Sequence, residues 1–148
     1  SSTFLARALK ESGNGNFSAI DHFGGNVGKE ELYAINGSLS SLKDSFNDNL
    51  SRFGLIDSVN LLDMVNTQAC EKIKGKKIRF LFIDGDHTKN GVKKDIELFF
   101  PRLKKGSIVV FDDYFEGFPG LIEAIDELFE EYSFDRIFYH EHTLVVKI

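Results

Sequence analysis

Apolar residues along this chain recur with two different rhythms. Leu39, Leu42, Phe46, Leu50 and Phe53 return at three- and four-residue steps, which puts them on one face of a helix that Gly54 ends. Val92, Ile96, Phe99 and Leu103 carry the same helical spacing, with Pro101 disturbing the end. After Pro119, a residue suited to a first helical turn, Leu121, Ile125, Leu128 and Tyr132 supply the apolar face of a further helix. Helices are also predicted over residues 3–11 and 67–74, the first followed by the turn Ser12-Gly13-Asn14-Gly15-Asn16. Short apolar runs at residues 17–20, 58–62, 78–83 and 107–111 read instead as strands, and the densest of them suit strands buried on both faces. Two more strands, at residues 134–138 and 143–148, lie close enough in sequence to form a hairpin. Such alternation predicts an α/β fold: a mainly parallel sheet with helices on both faces and an antiparallel strand pair at the C-terminal end.

Composition narrows the class without changing that picture. At 148 residues, 42% hydrophobic and 28% charged, the chain is expected to form a single globular domain. No apolar run approaches the roughly 20 residues of a membrane-spanning helix, and the first residues lack a secretory pattern, so a cytoplasmic home is expected. Cys70 is the one cysteine, which excludes an internal disulfide or a cysteine-based zinc cluster. A net charge of -5 gives no electrostatic reason to bind nucleic acid. The basic stretch at residues 72–77 suits a helix end and turn, its lysines complementing the helix dipole.

Candidate chemistry gathers at the strand ends. In open parallel sheets ligands bind beyond the carboxyl ends of the strands, where loops and helix starts converge. Asp21, Asp84 and the pair Asp112-Asp113 each terminate an apolar run, so four carboxylates are expected at one sheet edge. Neighbouring strands lie about 4.8 Å apart, so carboxylates ending adjacent strands can share a hard cation, and oxygen ligands favour magnesium, calcium or manganese over zinc. The bland alternative is that each aspartate only caps a helix or braces a turn. His87, three residues after Asp84, can reach the same crevice as a general base or serve only as a local hydrogen-bonding group. His22, His140 and His142 read as loop or surface histidines.

Four segments together resemble class I S-adenosylmethionine-dependent methyltransferases, in particular the small O-methyltransferases that act on macrolide sugars and catechol-type acceptors. Ser1-Ser2-Thr3-Phe4-Leu5-Ala6 is similar to the helix start after the family's glycine-rich cofactor loop, and Ala19-Ile20-Asp21-His22-Phe23 to its second strand. Phe82-Ile83-Asp84-Gly85-Asp86-His87 with Gly91-Val92-Lys93-Lys94-Asp95, and residues 103–114 ending Phe111-Asp112-Asp113-Tyr114, resemble its fourth- and fifth-strand signatures. Residues 24–38 are left as a variable loop. The resemblance implies a Rossmann-like fold whose first strand and Gly-x-Gly turn are missing from this sequence, leaving two unpaired strand edges to be filled by a homo-oligomer or strand-exchanged dimer or closed by altered pairing within the domain.

Carried over residue by residue, the resemblance implies Asp21 on the cofactor ribose, backbone at Ser1, Ser2 and Thr3 near the methionine carboxylate, and Leu62 and Asp63 near adenine. It further implies Asp84, Asp112 and Asp113 as ligands of Mg2+ or another divalent cation, with Asp84 also close to the cofactor and His87 as the catalytic base. The expected activity is O-methylation of a hydroxyl on a sugar, polyol or other small-molecule acceptor. The alternatives are a non-catalytic methyltransferase-like binding domain and a metal-dependent hydrolase or hydroxylase on a related sheet.

Overall fold

A computed structural model describes residues 1–25 and 40–148, so the variable loop expected at 24–38 lies outside the described residues except for Gly24 and Gly25. The chain divides into two compact units, Ser1–Ala69 and Cys70–Ile148.

The first unit begins with helix α1 (Ser2–Ser12), closed by Gly13, whose φ of 68° permits its N–H to reach the carbonyls of Leu9 and Lys10. Strand β1 (Phe17–Asp21) follows, then helix α2 (Ser40–Arg52), a 3-10 turn (Ile56–Ser58) and strand β2 (Val59–Asp63). β1 and β2 pair in parallel, with Asp21 opposite Asp63. Ala6 of α1, Leu50 of α2 and Leu55 form the buried centre, with Phe17, Phe46 and Val59 packed against them. Thus the apolar face read from the sequence at Phe46 and Leu50 is the face that is buried.

Helix α3 (Asn66–Lys72) crosses the boundary between the units, starting one residue before its expected position. The second unit then contains strand β3 (Ile78–Ile83), helix α4 (Lys89–Phe99), a 3-10 turn (Phe100–Arg102), strand β4 (Leu103–Phe111), helix α5 (Pro119–Glu131) and the strands β5 (Arg136–His140) and β6 (Thr143–Lys147). Its sheet order is β3-β4-β6-β5, with β3 and β4 parallel and the expected antiparallel hairpin formed by β5 and β6. Val92 and Ile96 of α4 and Leu121, Ile125 and Leu128 of α5 cover Ile83, Val109, Phe111, Leu144 and Val146, so one face of the sheet is sealed by two helices. Among the described residues β5 pairs on one side only, and Ile137, Phe138 and Tyr139 on it are more than half exposed. No helix among the described residues is long and apolar enough to cross a membrane.

Leu103 is where helical spacing misleads. Proline has no N–H to continue a helix, and with Pro101 in the way α4 stops at Phe99; Leu103 instead opens β4 opposite Ile78. The ladder then slips between Ile78 and Phe80, and β4 carries the extra residues of a bulge there. Buried Ser107 closes this bulge: its hydroxyl donates to the Ile78 carbonyl at 2.8 Å and accepts from the Lys104 N–H at 2.9 Å. Beyond the bulge Phe80, Leu81, Phe82 and Ile83 run in register with Ile108, Val109, Val110 and Phe111. The two strands therefore end level with one another.

Phe111, 0% exposed, anchors that level end. Phe111→Ala is expected to destabilise the protein by about 3–5 kcal/mol through lost burial and the cavity left behind, read as a lower urea midpoint with an unchanged m-value.

Candidate active site

Because β3 and β4 finish together, the residues after them emerge side by side. The Asp112 N–H donates to the Ile83 carbonyl at 3.0 Å, carrying the ladder one step past the strands. Asp113 then turns with φ 56°, a left-handed conformation that aspartate tolerates better than bulkier residues. Asp84, His87 and Asp113 come together: a ligand atom from each lies within 4.8 Å of the others. His87 Nε2 stands 3.5 Å from Asp113 Oδ2. Asp112 lies outside that trio, its Oδ1 accepting a hydrogen bond from the Thr143 hydroxyl at 3.3 Å.

The loop from Asp84 to Thr88 owes its shape to Asp86, which is occupied with capping. Asp86 accepts from the Thr88 N–H and hydroxyl, both at 3.0 Å, while the Thr88 hydroxyl accepts from the Gly91 N–H at 3.1 Å and so caps α4. A Cβ at Gly91 would fall 2.6 Å from the Asp86 carboxylate, so glycine is what lets this side chain lie across the helix start. Capping thus falls to Asp86, and the next acidic side chain back, Asp84, is left to the cluster.

Asp84 holds its proton more tightly than an ordinary carboxyl. Desolvation is the largest cause, repulsion from Asp112 the next, and His87 opposes the shift before Asp113 adds to it. Three carboxylates around one strand end leave the site deficient in positive charge. The carboxylate oxygens of Asp84 and Asp113 make a hard donor pair that fits a divalent cation such as Mg2+ or Mn2+, with the His87 imidazole beside them.

The tip of the β5-β6 hairpin, assigned no role in the sequence, also belongs here. The Tyr114 N–H donates to the His142 carbonyl at 2.7 Å, latching the tip of the β5-β6 hairpin onto the Asp113 loop, and the His142 ring packs on Phe115 with centroids 4.5 Å apart. Thr143 adds the hydrogen bond to Asp112. Nothing in the local pattern around His142 points to this, because its place depends on β6 pairing with β4.

In the first unit Asp21 ends β1 exposed; its Oδ1 accepts from the Phe23 N–H at 2.7 Å and it makes no ion pair among the described residues. Asp63 ends β2 in an ion pair with Lys43 at 2.6 Å, beside half-buried Leu62. Ser1 precedes α1, and its carbonyl accepts from Phe4 and Leu5, so the N–H groups of Ser2 and Thr3 belong to the unpaired first turn. A cavity of about 490 Å³ lined by Leu9, Asn14, Asn16, Asp57 and Asn60 opens at the amino ends of β1 and β2. Asp21 and Asp63 lie at the opposite ends of those two strands.

Against known proteins, a family model described as a methyltransferase domain matches residues 1–114. The O-methyltransferase NovP superposes with a TM-score of 0.77 at 17% identity, over 98% of this chain and 65% of that one. CalS11, a TDP-rhamnose 3'-O-methyltransferase, gives 0.65 at 19% identity over 98% and 65%, and an O-methyltransferase from Bacillus cereus in complex with SAH gives 0.64 at 16% over 99% and 80%. The uncharacterized protein R132 of Acanthamoeba polyphaga mimivirus is 38% identical over 53 residues, 34% of this chain and 24% of that protein. The chain thus spans slightly less than two thirds of NovP and CalS11 and about a quarter of R132.

The upward shift at Asp84 has a thermodynamic consequence. A carboxyl whose folded pKa is raised opposes folding above that pKa, and the penalty fades as pH falls toward its ordinary value of 3.8. In cation-free buffer at neutral pH Asp84→Asn is expected to be more stable than the parent, by less than about 1 kcal/mol because solvent screens a half-open site. Urea titrations should show the gain shrinking as pH is lowered through the carboxylate range.

Proposed function

We propose a methyl-transfer function from one premise: the chain belongs to the methyltransferase domain family. The reaction is transfer of a methyl group from S-adenosylmethionine to a hydroxyl of a small molecule, a sugar or polyol in the first instance, assisted by a divalent cation. The observation that carries this reading is the convergence of Asp84, His87 and Asp113 within 4.8 Å at the ends of two paired parallel strands. The solved relatives named as O-methyltransferases support it, and the TDP-rhamnose acceptor of CalS11 supports a sugar.

The residues of the first unit fit the cofactor. Asp21 keeps a carboxylate oxygen for the ribose hydroxyls. The N–H groups of Ser2 and Thr3, at the positive end of α1, suit the methionine carboxylate. Leu62 offers apolar surface to adenine, while Asp63 is steadied by Lys43. Asp84 and Asp113 would hold the cation, with Asp112 adding a third negative charge beside them. A bound divalent cation lowers the pKa of the acceptor hydroxyl, and S-adenosylmethionine supplies an electrophilic methyl carbon. His87, its side chain 11% exposed and 3.5 Å from Asp113, would take the hydroxyl proton as that oxygen attacks the methyl carbon and the carbon–sulfur bond breaks, S-adenosylhomocysteine leaving.

In the intact protein, Asp21→Ala is expected to weaken S-adenosylmethionine binding about tenfold or more in calorimetric titration, with the unfolding temperature little changed. Asp84→Asn should abolish the chelator-sensitive part of methyl transfer to TDP-rhamnose or a simple polyol while retaining cofactor affinity. His87→Ala should lose turnover by roughly 10²–10⁴-fold and recover partly at high pH, where the hydroxyl ionises without a base. A protein that binds no S-adenosylmethionine ends the reading, and turnover indifferent to chelators ends its cation half.

A further inference from the structure

A buried imidazole is ordinarily oriented by a hydrogen bond to one of its ring nitrogens. His87 is not. Its side chain is 11% exposed, and neither ring nitrogen has a hydrogen-bond partner among the described residues. The 3.5 Å from Nε2 to Asp113 Oδ2 exceeds the ordinary N–H to oxygen range. Rotation about the last bond of a histidine side chain is soft, so an imidazole without such a bond needs some other restraint to keep one orientation.

That restraint comes from the start of α5. The Phe118 ring stacks on His87 with centroids 4.3 Å apart and planes at 23°, and Phe115 meets Phe118 edge-on at 5.2 Å. Phe118 immediately precedes α5, and its carbonyl accepts from the N–H groups of Leu121 and Ile122, at 3.1 and 3.3 Å, so its backbone is fixed to the first helical turn. Gly120 decides where that turn rests. A Cβ there would fall 2.7 Å from the Lys89 backbone nitrogen and 3.3 Å from the His87 carbonyl oxygen, so the helix start sits directly on the backbone that carries the imidazole. Lys89 is tied to the same helix through Glu123 at 3.2 Å and Glu127 at 2.8 Å.

We infer that Phe118 and Gly120 are positioning residues for His87: the bare helix start seats the loop, and the Phe118 ring holds the imidazole toward Asp113 where no hydrogen bond does so. This deepens the methyl-transfer reading, in which His87 is the base, but its spectroscopic test is independent of that reaction. The protein has four histidines, so the ring protons of His87 can be assigned by carbon-correlated NMR of the intact protein. Those protons should resonate upfield because they lie in the ring current of Phe118. Phe118→Leu should abolish the upfield displacement and lower kcat by roughly tenfold to a hundredfold, as for a misplaced catalytic group, with KM for S-adenosylmethionine unchanged. Phe118→Tyr should restore both. Gly120→Ala should lower kcat in the same way, and the Phe118 pair decides the matter even if that variant does not fold. His87 resonances unmoved by Phe118→Leu, or a Phe118→Tyr variant no better than Phe118→Leu, would overturn the inference. Absence of methyl transfer in the parent would remove the proposed function, and the ring shifts would still report on the seat.

Discussion

The parallel pairing of β3 with β4 is the constraint on which the second unit depends. Two strands that end level deliver their following residues to one place, and the extra Asp112 to Ile83 hydrogen bond holds them there. The pairing also forces negative charges together, which is unfavourable. Magnitudes decide the balance: burying one large apolar side chain such as Phe111 contributes about 1.5–3 kcal/mol, more than half-exposed carboxylates lose by repulsion. A core of this size can therefore carry an acidic strand end that would not assemble by itself.

A second layer holds the cluster from the side. The hairpin tip reaches the acidic loop through the His142 carbonyl and the Thr143 hydroxyl. Both loops contain a non-glycine residue in the left-handed region, Asp113 at φ 56° and Glu141 at φ 52°. Such residues cost of order 1 kcal/mol each and persist where the surroundings over-determine them. Here the surroundings are the backbone bond from Tyr114 to His142 and the packing of Phe115 on the His142 ring.

Strand ends were legible in the sequence because an apolar run stops abruptly at a charge, as at Ile83-Asp84 and Phe111-Asp112. Burial and solvation change at the same residue, so one signal reports both. Helix faces were legible for the same reason: Leu121, Ile125 and Leu128 are buried as their spacing requires, whereas Tyr132 and Phe53, read with such faces, lie past the helix ends and are exposed. Leu103 was not, since a single apolar residue after Pro101 fits either rhythm and only its pairing with Ile78 settles it. The division of labour between Asp84 and Asp86 depends on a close approach that Gly91 allows, and the seat under His87 on another at Gly120. Contacts of that kind join residues whose spacing in the chain carries no periodic signal. Asp112 and Asp113 are adjacent letters, yet a left-handed turn sends one to Thr143 and the other to His87.

The lone flank of β5 bears on how the protein behaves in concentrated solution. Unpaired on one side among the described residues, and with Ile137, Phe138 and Tyr139 largely uncovered, this strand is a template on which other chains can add, and edge-to-edge growth is the usual route to precipitation. The segment is only five residues long, with Asp135 just before it and Glu141 just after it. Brevity and flanking charge are what natural sheets use as gatekeepers. Colloidal stability is thus concentrated in a handful of side chains, and replacing a flanking charge by an apolar residue would cost solubility before it cost folding.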